Sequence, residues 1–163
     1  MSSNLKPNRV SDWLIHEVDD YDLESFTPLA ASFGHDRFGY VVTPNVDHMV
    51  RYCEDATFRE HYRNADYVLL DSRFAARLLR IVKGLKLRVC TGSDLTAALF
   101  CRVVTSSDHV VLIGGTPEQA GIIKMLYGLS NIYHYNPPMG FASDPQAVQE
   151  CVDFVESHSP FRF

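Results

Sequence analysis

From residue 37 onward, short apolar, β-branched runs alternate with segments whose apolar residues recur at helical spacing. That alternation limits the folds open to this chain more than any other feature. "RFGYVVT" at 37–43, "DYVLLD" at 66–71, "HVVLIGG" at 109–115 and "NIYHY" at 131–135 read as four buried strands. After the first, Val46, Met49, Val50 and Cys53 fall at i, i+3, i+4 and i+7, one face of a helix. Thr57 and Glu60 have capping-box spacing and predict a second short helix through Tyr62. Phe74, Ala75, Leu78, Leu79 and Val82 restore helical spacing, and Gly84 supplies a stop. "TGSDLTAALFCRVV" offers N-cap residues followed by Leu95, Ala98, Leu99 and Val103 on one face. Thr116, Pro117 and Glu118 open the next helix as N-cap, first-turn proline and an acid near the positive end of the dipole. Asp144 and Pro145 open a last helix carrying Val148, Cys151, Val152 and Val155. Strands alternating with amphipathic helices imply βα units and a largely parallel sheet covered by helices on both faces. The fold class expected is α/β.

Residues 1–36 break that rhythm. They are polar and weakly periodic, mixing Pro7, Asp19, Asp20 and Pro28 with Trp13, Leu14 and Phe26, and read as a loosely structured lead-in to the α/β domain at 37–163. A chain of 163 residues, 46% hydrophobic and 21% charged, is long and apolar enough to build its own core. Its net charge of −5 argues against nucleic acid as the main partner, because phosphate neutralisation needs a basic surface. One basic cluster stands out against that charge: Arg73, Arg77, Arg80, Lys83, Lys86 and Arg88. It reads first as a solvated helix face. Cys53, Cys90, Cys101 and Cys151 are scattered without a C-x-x-C pair, which suggests reduced, mostly core thiols of a cytosolic protein. No run approaches the roughly 18 apolar residues of a spanning helix, so the expectation is a cytoplasmic protein, with room for peripheral contact at a membrane.

In open parallel sheets, ligands bind beyond the carboxyl ends of the strands, and the polar residues collect there. Thr43 and Asn45 follow the first strand and Asp71 ends the second. Gly114, Gly115 and Thr116 follow the third, and Asn136 the fourth. Each has two readings. Asn45 or Asp47 caps the helix it precedes, or serves a cleft. Asp71 caps the next helix, or acts as a general base accepting a proton from an alcohol. "GGTPEQAG" could bring backbone N–H groups to a phosphate at a helix N-terminus, but it lacks the G-x-G-x-x-G dinucleotide fingerprint. No H-E-x-x-H or G-x-S-x-G occurs. The residues alone give an α/β domain suited to a phosphorylated ligand.

"VVTPNVDH", "NADYVLLDS", "TGSDL", "LIGGTPEQA" and "NPPMGF" follow one another in an order that resembles the bacterial WecG/TagA/CpsF glycosyltransferases. The resemblance runs from about residue 37 to the end. It implies a Rossmann-like scaffold and inverting transfer of a sugar from a UDP-sugar to a polyprenyl-diphosphate-linked saccharide, in making teichoic acid linkage units, enterobacterial common antigen or exopolysaccharide. It implies no cofactor, since the D-x-D metal motif is not obligatory in the family and is missing around Asp71. By the resemblance, Asp71 is the base that deprotonates the acceptor hydroxyl, and Thr43 and Asn45 line the cleft. Thr91, Gly92 and Asp94 lie near it, and Gly114, Gly115 and Thr116 sit by the donor.

Departures accompany the likeness. Ser72 stands where the family usually has glycine, and Arg73 and Phe74 fill a typically small stretch. The family's arginine two residues before T-G-S-D meets Val89 here, with Arg88 one position off, so Arg88 is carried as a substrate-binding candidate in a shifted register. "FVESHSPFRF" looks like the helix and incoming strand that lead, in the family, to a glycine-rich loop with a Gln-Glu pair, so the chain resembles the first two-thirds or so of a family member. Two expectations follow: weak catalysis by this chain alone, and association into homo-oligomers through open edges. The competing readings are a non-catalytic module that binds nucleotide-sugar or lipid precursor, and an unrelated dehydrogenase-like enzyme.

Overall fold

The computed structural model describes residues 9–10, 18–35 and 37–163. In chain order they form β1 (Arg9–Val10), β2 (Val18–Asp19), α1 (Leu23–Ala30), β3 (Val41–Val42), α2 (Val46–Glu54), α3 (Ala56–Arg63) and β4 (Tyr67–Val68). Then follow α4 (Arg73–Lys83), α5 (Gly92–Arg102), β5 (His109–Ile113), α6 (Pro117–Leu126), β6 (Asn131–Tyr135) and α7 (Pro145–Ser157). The fold is mixed α/β and Rossmann-like: β3 pairs parallel with β4 across α2 and α3, and β5 pairs parallel with β6 across α6. Among the described residues the strands join two by two, the remaining pair being the antiparallel β1–β2. Two compact units result, one of the described residues up to Ser32 with Arg37–Leu99, the other of those in 33–36 with Phe100–Phe163.

In the first unit the β3–β4 ladder outlasts its regular strands. Tyr40 O accepts from the N–H groups of Asp66 and Tyr67, Val42 O from Leu69 and Pro44 O from Asp71. The predicted strand at 37–43 starts later, at Val41: Phe38 is 80% exposed and Gly39 offers no side chain to pack. The core groups Val18, Met49, Tyr62, Ala65, Val68, Leu70 and Ala75. Leu69 and Leu70 are almost fully buried, each worth about 1.5–3 kcal/mol relative to exposure.

The stretch read as a loose lead-in contributes directly to this unit. Asp22 caps α1 in a reciprocal box with Ser25, and Phe26 is fully buried with its ring edge-on to Tyr21 and Tyr67. Asp19, 1% exposed, accepts from the Val68 N–H at 2.9 Å on the side of β4 away from β3. On that side too, the Cys90 N–H donates to Leu70 O at 3.1 Å. The strand leading to Asp71 is thus held from both flanks.

Two helical details and the exposure of the cysteines differ from expectation. α3 is capped by Asp55, whose carboxylate accepts from the Thr57 and Phe58 N–H groups; Glu60 instead pairs with Arg63 at 2.5 Å. A carboxylate two residues upstream reaches those donors before the Thr57 hydroxyl can act as a cap. α4 buries only Ala75 and Leu79, leaving Phe74, Leu78 and Val82 exposed. The cysteines are all free thiols, but Cys53 and Cys101 are exposed, so core thiol describes only Cys90.

In the second unit, β5 and β6 run in register from His109 opposite Asn131 to Ile113 opposite Tyr135. On the other edge of β5, the Arg162 N–H donates to His109 O, and the Val111 N–H to Phe163 O, each at 2.8 Å. The incoming strand expected near Phe161 therefore begins to line β5. Arg162 also meets Asp108 at 2.6 Å, both side chains nearly buried. Gly34 packs on this strand at φ 74°, and a Cβ there would stand 2.5 Å from Arg162 O.

Candidate functional site

Asp71 follows Leu70 where the β3–β4 ladder ends, and the dull reading of it fails on geometry. The N-cap of α4 is Ser72, whose Oγ accepts from the Ala75 N–H at 3.0 Å. Asp71 is left to turn toward α5, where its Oδ2 accepts from the Gly92 N–H at 3.1 Å. That donor sits in the first turn of a helix, where the dipole favours a negative charge. Asp71 Oδ1 accepts no hydrogen bond among the described residues, and the side chain is half-buried. One oxygen is anchored and one is available.

Gly92 is required here for a reason of space. A Cβ at this position would lie 2.7 Å from Thr43 Oγ1 and 3.5 Å from Asp71 Oδ2. Three residues read from sequence as cleft candidates, Thr43, Asp71 and Gly92, therefore converge. Their neighbours hold them. Asn45 caps α2 by accepting from the His48 N–H at 3.0 Å. Thr91 caps α5 by accepting from the Asp94 N–H at 3.1 Å, which leaves the Asp94 carboxylate exposed in the first turn. Arg88 turns elsewhere: its N–H donates to Asp20 at 2.7 Å and its guanidinium lies 3.7 Å from Asp22. Hydrogen bonding from Ser25 first, and then the Arg88 charge, hold the Asp22 carboxyl below its ordinary range.

Cys90 lies two residues before Gly92, on the strand-like segment beside Leu70. Burial above all, then the charges of Asp22, Asp94 and Asp71, push its thiol up to about 11. It stays protonated at neutral pH and is no nucleophile. Among the described residues no group of three His, Cys, Asp or Glu side chains could hold a metal ion.

The glycine turn belongs to the second unit. Gly114 and Gly115 have φ of 88° and 76°, conformations that favour glycine. The Gly114 N–H donates to Tyr135 O, and Gly114 O lies 3.0 Å from His134 Nε2. Thr116 and Gln119 close a reciprocal capping box: the Thr116 N–H donates to Gln119 Oε1 and the Gln119 N–H to Thr116 Oγ1. Two of the donors a phosphate would use are thereby occupied. Glu118 adds a carboxylate to the same helix end, held below its usual range by its bond with Thr116. Beside this turn, Asn136, Pro137, Met139, Gly140 and Phe141 line a cleft of about 580 Å³ that reaches Gly114.

Sequence reasoning missed Asp19. A lone Asp in a polar stretch carries no signal, and its bond to Val68 spans 49 residues.

A parallel-strand α/β scaffold with a carboxylate anchored at a strand's carboxyl end, facing a helix N-terminus, has the architecture of many group-transfer enzymes. The family described as "Glycosyl transferase WecG/TagA/CpsF family" matches residues 13–160, so the chain belongs to the WecG/TagA/CpsF glycosyltransferases. The match begins well before residue 37 and takes in the segment that carries Asp19 and α1. A search among curated proteins finds no match.

Proposed function

We propose that this glycosyltransferase moves a hexosyl or N-acetylhexosaminyl group from a UDP-sugar to a polyprenyl-diphosphate-linked saccharide, with inversion, in cell-surface or exopolysaccharide synthesis. The observation that carries the reading is the state of Asp71. It is relieved of capping by Ser72 and fixed through Oδ2 by the Gly92 N–H, beside which Thr43 also lies, and its Oδ1 accepts no hydrogen bond among the described residues. Asp71 Oδ1 takes the proton of the acceptor hydroxyl as that oxygen attacks the anomeric carbon. The bond from the anomeric carbon to the diphosphate oxygen breaks, and UDP leaves with the electron pair from the opposite face. Thr43 orients the acceptor hydroxyl, while Asn45 and Thr91 hold the two helix ends around it. Gly114, Gly115 and Thr116 serve the donor, with the cleft at Asn136 beside them. Arg88 is assigned no substrate contact, because Asp20 and Asp22 engage it. Work on a lipid-linked acceptor would place the protein at the inner face of the plasma membrane; no helix among the described residues is long and apolar enough to cross one.

The test is UDP release from UDP-sugars presented with a polyprenyl-diphosphate saccharide, followed by product analysis of the anomeric configuration. Acceptor-dependent UDP release with an inverted product supports the reading. UDP binding without release under any donor–acceptor pair would favour the non-catalytic module instead.

A further inference from the structure

Two adjacent acids of the first unit, Asp19 and Asp20, take no part in the chemistry proposed for Asp71 and cap no helix. Their bonds nevertheless meet at one place. β4 delivers Asp71, and the segment 88–90 delivers Gly92. The two run side by side in the same sense: the Cys90 N–H donates to Leu70 O at 3.1 Å, and just beyond it the Gly92 N–H donates to Asp71 Oδ2 at 3.1 Å. Bonds between parallel segments are evenly spaced, recurring at alternate residues, so the preceding rung would carry the Arg88 N–H to Val68 O. Side chains take its place. The Arg88 N–H donates to Asp20 Oδ1 at 2.7 Å, and the Val68 N–H to Asp19 Oδ2 at 2.9 Å.

One carboxylate thus grips each segment, and a carboxylate binds an N–H more strongly than a neutral carbonyl does. The pair is itself fixed. Val18 before it is buried, the Asp22–Ser25 box starts α1 just after it, and Phe26 packs fully buried against Tyr67, the neighbour of Val68. Asp20 Oδ2 also lies 4.0 Å from the Arg88 guanidinium, so Asp20 faces Arg88 through both of its oxygens.

We infer that Asp19 and Asp20 are positioning residues for the base: together they set the spacing of β4 and the 88–90 segment, and through it the reach of Asp71 Oδ2 to the Gly92 N–H. Neither touches a reacting atom. The inference rests on Asp71 as the proposed base, which gives that spacing its consequence. Proton transfer needs its heavy atoms about 2.6–3.2 Å apart, and a displacement of about 1 Å can cost on the order of 10²-fold in rate.

The experiment compares Asp19→Ala, Asp19→Asn, Asp20→Ala and Asp20→Asn with the unaltered full chain, each below its own unfolding midpoint. Asparagine keeps an oxygen that accepts from the N–H; alanine does not. Two quantities are measured: kcat and KM for acceptor-dependent UDP release, and exchange of the Gly92 amide by NMR, which needs no turnover. The alanine variants should lower kcat by roughly tenfold or more while the donor KM stays within about twofold. Their Gly92 amide should exchange on the order of tenfold faster. The asparagine variants should recover most of both. Asp108→Asn, which weakens the second unit instead, should move neither. Alanine variants that lose stability but keep kcat and Gly92 exchange would make the two acids structural and overturn the inference. So would asparagine variants as impaired as the alanines, because the effect would then belong to charge and not to the accepted bond. If Asp19→Ala fails to fold, Asp20→Ala and the two asparagine variants decide by the same criteria. If the unaltered chain turns over no donor–acceptor pair, the proposed function fails, and Gly92 exchange alone upholds or overturns the positioning.

Discussion

The two units resolve the same problem, how to end a parallel strand and begin a helix, in opposite ways. After β4, capping falls to Ser72, and the carboxylate just before it is free to reach the first turn of a different helix. After β5, the turn closes on itself: Thr116 and Gln119 satisfy one another's backbone donors, and Glu118 places its own negative charge at the helix end. A strand end becomes chemically useful when the local caps are complete without the functional group. By that criterion the carboxylate proposed as the base lies in the first unit, and the glycine turn of the second offers shape more than free donors.

The sharpest way to break this comparison is to alter two adjacent residues. Asp71→Asn should lower turnover by on the order of 10²–10⁴ while UDP affinity and thermal stability hold. Ser72→Ala should lower stability by about 1 kcal/mol and leave turnover near the unaltered value. If the two variants exchange these phenotypes, Asp71 is a structural residue and Ser72 is not merely a cap.

A stability test falls on the second unit. Removing Arg162 leaves Asp108 nearly buried with only Thr105 as partner, and breaking such a pair costs about 3–5 kcal/mol. Burial raises the Asp108 carboxyl, but the Thr105 N–H, the Arg162 guanidinium and the Thr105 hydroxyl together outweigh it, so the net shift is downward from 3.8. A depressed carboxyl contributes stability above its unfolded value and loses it as pH falls through the folded one. Acid titration of unfolding should therefore show a loss below about pH 4 that Asp108→Asn lacks. An unchanged acid profile in that variant would remove Asp108 from the account.

Gly92→Ala is expected to be smaller, about 1–3 kcal/mol for a forced contact, since only a side-chain oxygen stands in the way. Thr43→Ala should relieve part of it. Additive effects in the double variant would mean that Thr43 and Gly92 are not in contact. The smallest effect belongs to Asn45→Asp, which preserves the cap on α2. Its stability should lie within a few tenths of a kcal/mol of the unaltered chain, so any fall in turnover reports on the cleft. If turnover is also unchanged, Asn45 is a cap and nothing more.

Some of this was legible in the residues. The helices opened by Thr116-Pro117 and Asp144-Pro145 and closed by Gly84 follow from local rules, because a cap and its target donor lie within three residues of each other. Strands β5 and β6 were equally plain, since a run of β-branched and aromatic residues between turn signals has few other uses. The parallel pairing followed from the helices between them.

Apart from the local choice of Asp55 over Thr57 as the cap of α3, what the sequence left open was a matter of distance along the chain. Whether Asp71 caps α4 or faces elsewhere depends on Gly92, 21 residues on. Whether Arg88 serves a substrate depends on Asp20, 68 residues back. Apolar periodicity marked Phe74, Leu78 and Val82 as one helical face with Ala75 and Leu79, but periodicity gives only the direction of a side chain, not whether another element arrives to cover it. Sequence by itself determined the α/β class, most of the elements from residue 37 onward and the caps of the last two α-helices, because those depend on neighbours within a turn or a strand. Only the tertiary structure decided which carboxylate is left with a free oxygen, and which apolar face is left bare, because both depend on what distant segments bring alongside.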